Sequence, residues 1–124
     1  MKFLLDTDIC VYLFTGRHPA LSDRVRACDA GTLAFSTITL AELAIGSANG
    51  KLPSSAMLDA FSRDVVPVDF DAPAARAYAG LPFRRGRFDR LIAATALSLG
   101  LTLVTNNGSD FAYIPGLTVE NWTT

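Results

Sequence analysis

With 124 residues the chain has room for one domain with a real core and too few for two, so residues 1–124 are read as a single unit. A net charge of −1 and a sequence pI near 5.7 argue against nucleic-acid binding through bulk positive charge, and no segment reaches the roughly 18 to 20 apolar residues of a membrane span. Half the residues are nevertheless apolar and mean hydropathy is +0.30, which calls for a parallel sheet buried on both faces, an apolar patch covered by a partner, or both.

Along the chain, short apolar runs alternate with longer helical patterns. "KFLL" reads as a first strand, and "DICVYLFTG" after it as a helix ended by Gly16. "PALSDRVRACDA" has helical spacing in Leu21, Val25 and Cys28 and closes at Gly31. "TLAFS" is a second strand and "TLAELAIGSA" a helix; "AMLDAFSRD" is a further helix and "VVPV" a third strand. "DAPAARAYAG" is a short helix with Pro73 suited to its first turn. "FDRLIAATALSLG" carries the strongest helical pattern and stops at Gly100; "LTLVT" and "LTVEN" are the fourth and fifth strands. Cys10 and Cys28 form neither a disulfide framework nor a metal-ligand spacing, and Cys10 is expected in the core. Asp6 interrupts the first apolar run too early for a signal peptide, so a cytosolic (cytoplasmic) protein is expected.

Strands alternating with helices predict a parallel sheet with helices on both faces. In such folds functional groups gather outside the carboxyl ends of the strands. Four acids fall there. Asp6 follows the first strand, Glu42 lies in the first turn of the helix after the second, Asp89 opens the long helix, and Asp110 follows the fourth strand in "TNNGSDF". Each has a local explanation. Asp6 or Asp8 would serve as an N-cap, worth about 1 kcal/mol. Thr39-Leu40-Ala41-Glu42 has the spacing of a capping box. Asp89 would favour a helix N-terminus by about 0.3 to 1 kcal/mol, and Asp110 would close a turn.

Together the four are harder to explain locally. Unit charges about 4 Å apart repel by roughly 4 kcal/mol at an effective dielectric of 20, more than one cap returns. Converging carboxylates suit a hard divalent cation such as Mg²⁺ or Mn²⁺, which can activate water toward a phosphodiester. The basic residues Arg84, Arg85, Arg87 and Arg90 crowd the start of the long helix, the end where cations are least favoured. A bound phosphate backbone would justify them, and a solvated surface turn is the plainer reading.

Those residues resemble the PIN-domain nucleases, most closely the VapC-type toxins of toxin–antitoxin pairs. The resemblance runs over essentially the whole chain through "FLLDTDI", "STITLAEL", "FDRLIAATAL", "LVTNNGSDF" and "PGLTVENW". It implies an α/β/α sandwich with a five-stranded parallel sheet and Mg²⁺- or Mn²⁺-dependent endoribonuclease activity. It also implies a homodimer silenced by a cognate VapB-type antitoxin; the lack of a long apolar segment leads to the expectation of no membrane partner. The family's acidic positions fall on Asp6, Glu42, Asp89 and Asp110, with Thr105 as the polar residue beside them. Asp8 stands where Asn is frequent, implying a supporting or capping role. Asn107 replaces a further Asp found in many members, implying a site that holds one metal firmly and a second only with substrate. "AGLPFRRGRF" is shorter than is usual before the third acid, which bears on RNA preference more than on chemistry.

Other readings fit less well. A haloacid-dehalogenase phosphatase or a phospho-accepting receiver would need a late lysine, and Lys51 is the last one. "GSANGKL" misses the Walker A spacing and its Ser/Thr, and the single histidine, His18, lies in a turn-like "GRHP". A non-catalytic subunit of a toxin–antitoxin complex on operator DNA stays open beside the nuclease. In the nuclease reading Asp6, Glu42, Asp89 and Asp110 hold metal, Asp8, Thr105 and Asn107 support them, and the four arginines bind RNA phosphates.

Overall fold

A computed structural model describes residues 1–82, 84 and 88–124. Five strands form one parallel sheet: β1 (Phe3–Leu5), β2 (Leu33–Ser36), β3 (Val66–Val68), β4 (Thr102–Val104) and β5 (Val119–Glu120), in the order β3-β2-β1-β4-β5. Between them run α1 (Thr7–Thr15), α2 (Pro19–Arg26), α3 (Thr37–Ala48), α4 (Ser55–Asp64), α5 (Ala72–Ala79) and α6 (Phe88–Leu99). A short 3-10 helix, Gly108–Phe111, precedes β5.

The strands are short and continuous in apolar character because helices cover both sheet faces. Alternation along β1 sends Phe3 and Leu5 to one face and Leu4 to the other. The first face packs with Ile9, Leu21, Phe35, Leu43, Leu58 and Trp122, the second with Ala34, Ile92, Ala93, Ala96, Leu103 and Phe111. Ala93 and Ala96 of α6 belong to the same buried cluster as Leu4 and Leu103 of the sheet. The α/β/α sandwich expected from the alternating pattern is therefore the fold.

Local chemistry sets the ends of the elements. Gly16 takes φ 68°, and its amide bonds to the Tyr12 carbonyl to stop α1. Pro67 is tolerated because β3 is an edge strand. Asp71 caps α5 by accepting from the Ala74 amide at 3.0 Å, with Pro73 in the first turn. α2 stops at Arg26, short of the expected Ala30, and the half-buried Cys28 in the turn beyond it donates to the Arg24 carbonyl. Cys10 is fully buried, as expected.

β1 is the topological pivot. It pairs with β2 on one side and β4 on the other, so the chain leaves it in both directions across the sheet. A crevice opens at the carboxyl ends of strands on either side of such a reversal. Asp6 and Thr105 stand at that crevice, each directly after its strand.

Candidate active site

Asp6 sits where β1 becomes α1. Its backbone amide donates to the Val104 carbonyl at 2.9 Å, continuing the ladder to β4. Its carboxylate accepts from the Thr7 amide at 2.9 Å through Oδ1 and from Thr105 Oγ1 at 2.8 Å through Oδ2. The side chain is both the N-cap of α1 and a buried acid, 5% exposed. Burial raises its pKa to about 6; the bonds from Thr105 and Thr7 pull it down, and the charges of Asp89 and Asp8 push it up.

Glu42 arrives from α3 and is half-buried. Its Oε1 accepts from Thr7 Oγ1 at 2.9 Å, and Thr7 Oγ1 also lies 3.0 Å from the hydroxyl of the fully buried Thr39. Burial raises the Glu42 pKa, the Thr7 bond lowers it, and Asp89 and Asp8 raise it again. Asp6 and Glu42 thus feel the same two neighbouring charges, those of Asp89 and Asp8.

Asp89 lies in the first turn of α6, and Asp110 is exposed in the first turn of the 3-10 helix. Asp6, Asp8, Glu42, Asp89 and Asp110 all line one cavity of about 650 Å³, shared with Thr7, Asn107, Tyr78, Phe88 and Leu91. Among the described residues no three acidic, histidine or cysteine side chains close on one point as a finished metal cage. The donor set is nonetheless all oxygen and doubly repulsive, which fits a hard cation that keeps much of its water and takes only one or two carboxylates directly.

Three local expectations are corrected. The helix cap is Asp6, whereas Asp8 is exposed within the first turn of α1 and accepts from Asn107 Nδ2 at 3.3 Å. The Thr39–Glu42 capping box does not form, because α3 starts two residues earlier: Ser36 is the cap and accepts from the Ile38 amide at 3.0 Å. That frees Glu42 to face the cavity. Arg90, expected on RNA, is 7% exposed and donates to the Pro82 carbonyl at 3.0 Å and the Tyr113 hydroxyl at 2.8 Å. Its guanidinium also lies 5.3 Å from the Tyr78 ring, so it ties α6 to Pro82, Tyr78 and Tyr113. Arg84 is exposed with its guanidinium 4.4 Å from the Tyr113 ring; Arg85 and Arg87 lie outside the described residues.

Asn107 donates its amide to Thr105 Oγ1 at 3.1 Å while its side chain reaches Asp8, so Thr105, Asn107 and Asp8 form a hydrogen-bonded chain beside Asp6. Thr7 and Thr39 were missed in the sequence. Thr7 stands between two aspartates and reads as a helix-start residue, and nothing in local spacing couples it to positions 39 and 42.

A parallel sheet pivoting on β1, with acids from four elements lining its carboxyl edge, defines the class. The PIN domain family model matches residues 3–117, and the chain belongs to that family. Within it the chain is of the VapC type. It is 33% identical to the tRNA(fMet)-specific endonuclease VapC of Shigella flexneri and 35% identical to Ribonuclease VapC2 of Rickettsia felis, covering 98% of both chains in each comparison. Each alignment spans 133 positions, so at least nine have no counterpart in this shorter chain. Among solved structures, VapBC2 from Rickettsia felis bound to a promoter DNA fragment matches with TM-score 0.84 at 32% identity, over 98% of this chain and 99% of that one. VapBC-1 from nontypeable Haemophilus influenzae matches with TM-score 0.84 at 29% identity over the whole of both chains.

Proposed function

We propose that this chain is an endoribonuclease, the toxin of a VapBC-type pair, using Mg²⁺ or Mn²⁺ at the acid-lined cavity. The observation that carries the reading is the convergence of Asp6, Glu42, Asp89 and Asp110 on one cavity at the sheet's pivot. The names of the curated relatives, a tRNA(fMet)-specific endonuclease and a ribonuclease, support RNA as the substrate.

Asp6 and Asp89 are assigned as the principal metal-holding residues, with Glu42 and Asp110 contributing directly or through water. Bound there, the ion would polarise a phosphoryl oxygen and favour hydroxide over water. The chain's own residues do the rest. Thr105 and the Thr7 amide fix both oxygens of Asp6, while each oxygen retains a lone pair for the cavity. Thr7 holds Glu42 by Oε1 alone, which leaves Oε2 to orient a water. Burial raises the Glu42 pKa above the ordinary glutamate value, which makes its carboxylate a better acceptor for a proton from that water. Arg84, with Arg85 and Arg87, is assigned to the RNA phosphates.

A VapB-type antitoxin is the expected partner, since the solved relatives include VapBC complexes, and a homodimer is the expected assembly. No helix among the described residues is long and apolar enough to cross a membrane. The Rickettsia felis complex is bound to promoter DNA, and a similar VapBC complex from Salmonella typhimurium is also DNA-bound, which favours a second role: a subunit that binds operator DNA through its partner. Purified, antitoxin-free protein incubated with structured RNA in Mn²⁺ or Mg²⁺ tests the nuclease, beside Asp6→Asn and an EDTA control. Metal-dependent cleavage lost in the variant supports the assignment; cleavage that survives it, or no cleavage of any RNA in a broad pool, leaves only the DNA-complex role.

A further inference from the structure

The acids account for only part of the cavity lining. Besides the polar Thr7 and Asn107, one part of the lining is aromatic and apolar: Tyr78 from α5, and Phe88 and Leu91 from α6. Tyr78 is half-buried and carries the Arg90 guanidinium near its ring. Phe88 differs. It is 54% exposed at the first position of α6, directly before Asp89, and among the described residues no ring or cation is stacked on it. An aromatic side chain left open to water beside a cluster of carboxylates adds little to the core.

Recognition of RNA at this place has a specific electrostatic difficulty. The acids that suit a cation repel the phosphate backbone, and an arginine or lysine set beside them would pair with them and compete with that cation. A neutral aromatic ring avoids both problems. It offers stacking energy to any base without changing the charge at the acids. A phosphodiester brought to Asp6 and Asp89 carries a ribose and base on either side, so one base must pass the wall on which Phe88 stands.

We propose that Phe88 is a nucleobase platform, on which the base flanking the phosphate at the acids stacks. The proposal rests on the nuclease reading of the same cavity and deepens it, because a stacked base must be unpaired: the RNA presented is single-stranded or looped at the cut. Phe88 then determines substrate form and contributes to binding, while the acids determine the chemistry.

The test compares wild type, Phe88→Leu and Phe88→Trp for binding a labelled single-stranded oligoribonucleotide in EDTA, so that the readout needs no cleavage. The same strand annealed as a duplex is the control. Leucine keeps an apolar side chain but has no π-face, and an exposed position tolerates either change without loss of the fold. The expected result is single-strand binding about 5- to 150-fold weaker in Phe88→Leu and near wild type in Phe88→Trp, the range that loss of one base–aromatic stack produces. Duplex binding should be weaker than single-strand binding in wild type and nearly unchanged by Phe88→Leu. Equal single-strand affinity in Phe88→Leu and wild type overturns the proposal. So does a Phe88→Leu defect confined to binding purified antitoxin, which would give the ring to a protein partner. Failure of the nuclease reading registers separately, as metal-dependent cleavage that is absent or that survives Asp6→Asn.

Discussion

Thr105 Oγ1 donates to Asp6 Oδ2 at 2.8 Å, joining the ends of two neighbouring strands through residues 99 positions apart in the chain. Both side chains are buried, and the same threonine oxygen accepts from the Asn107 amide. Thr105→Val keeps the shape and removes both bonds, leaving a buried carboxylate short of a donor. The expected cost is about 1–3 kcal/mol of stability at pH 7, with the Asp6 pKa displaced further upward. Urea unfolding and an NMR titration of Asp6 read the two effects, and Thr105→Ser should restore both; unchanged stability in the valine variant would refute the role.

The pKa of Asp6, raised from 3.8 to about 6, makes the metal-free fold depend on pH. Between those values the folded state binds more protons than the unfolded one, so stability falls as pH rises through that window. The penalty is absent below about pH 4 and complete above about pH 7, at roughly 3 kcal/mol for a shift of about two units. Asp6→Asn should therefore be more stable than wild type in EDTA at pH 7.5, with a difference that shrinks toward pH 4. A cation held by the acids acts in the opposite sense, so Mn²⁺ should raise the wild-type Tm more at pH 7.5 than at pH 5, and the Asp6→Asn Tm little at either. Thermal melts in EDTA and in Mn²⁺ across pH 4–8 decide it.

Thr7 connects α1 to Glu42 and to Thr39 through one hydroxyl. Thr7→Val leaves the backbone amide that caps onto Asp6 and deletes only those side-chain bonds. Loss of a group that orients a ligand-bearing side chain typically lowers metal affinity or activity about 10- to 100-fold. Cleavage rates and Mn²⁺ titrations should fall by that order in Thr7→Val and recover in Thr7→Ser. Wild-type rates in the valine variant would mean that Glu42 needs no orientation.

Arg84 and Arg90 should separate cleanly. Arg84 is exposed, so Arg84→Ala should weaken RNA binding and reduce the slope of log affinity against log salt by about 1 if it meets a phosphate. Arg90 is buried against Pro82 and Tyr113, so Arg90→Met should lower the urea midpoint and leave the salt slope unchanged. Filter binding at several salt concentrations distinguishes them, and a reduced slope in Arg90→Met would return that residue to the RNA surface.

Much of this architecture is legible without coordinates. Apolar runs, glycine stops and proline starts are local signals, and they locate the strands and helices of the sandwich to within a few residues. The acids were found because an α/β sheet concentrates function at strand ends, a rule of topology that can be applied to a string. Local chemistry also misled. The capping box at Thr39–Glu42 has the right residues at the right spacing, but Ser36 at the end of β2 reaches the helix amides first. Asp8 has the composition of a cap, yet the chain turns at Asp6.

The chain by itself therefore determined the order of elements, the parallel class of the sheet and the identity of the acids, because periodicity, caps and strand-end placement are read over a few residues. Only the tertiary structure decided that β1 lies between β2 and β4, that Thr7 meets Glu42, that Arg90 is buried, and that Phe88 stands open beside the acids. Those outcomes depend on which distant segments share a face and how deeply each is covered. Burial and long-range hydrogen bonding are properties of the packed sheet, and no window of sequence contains them.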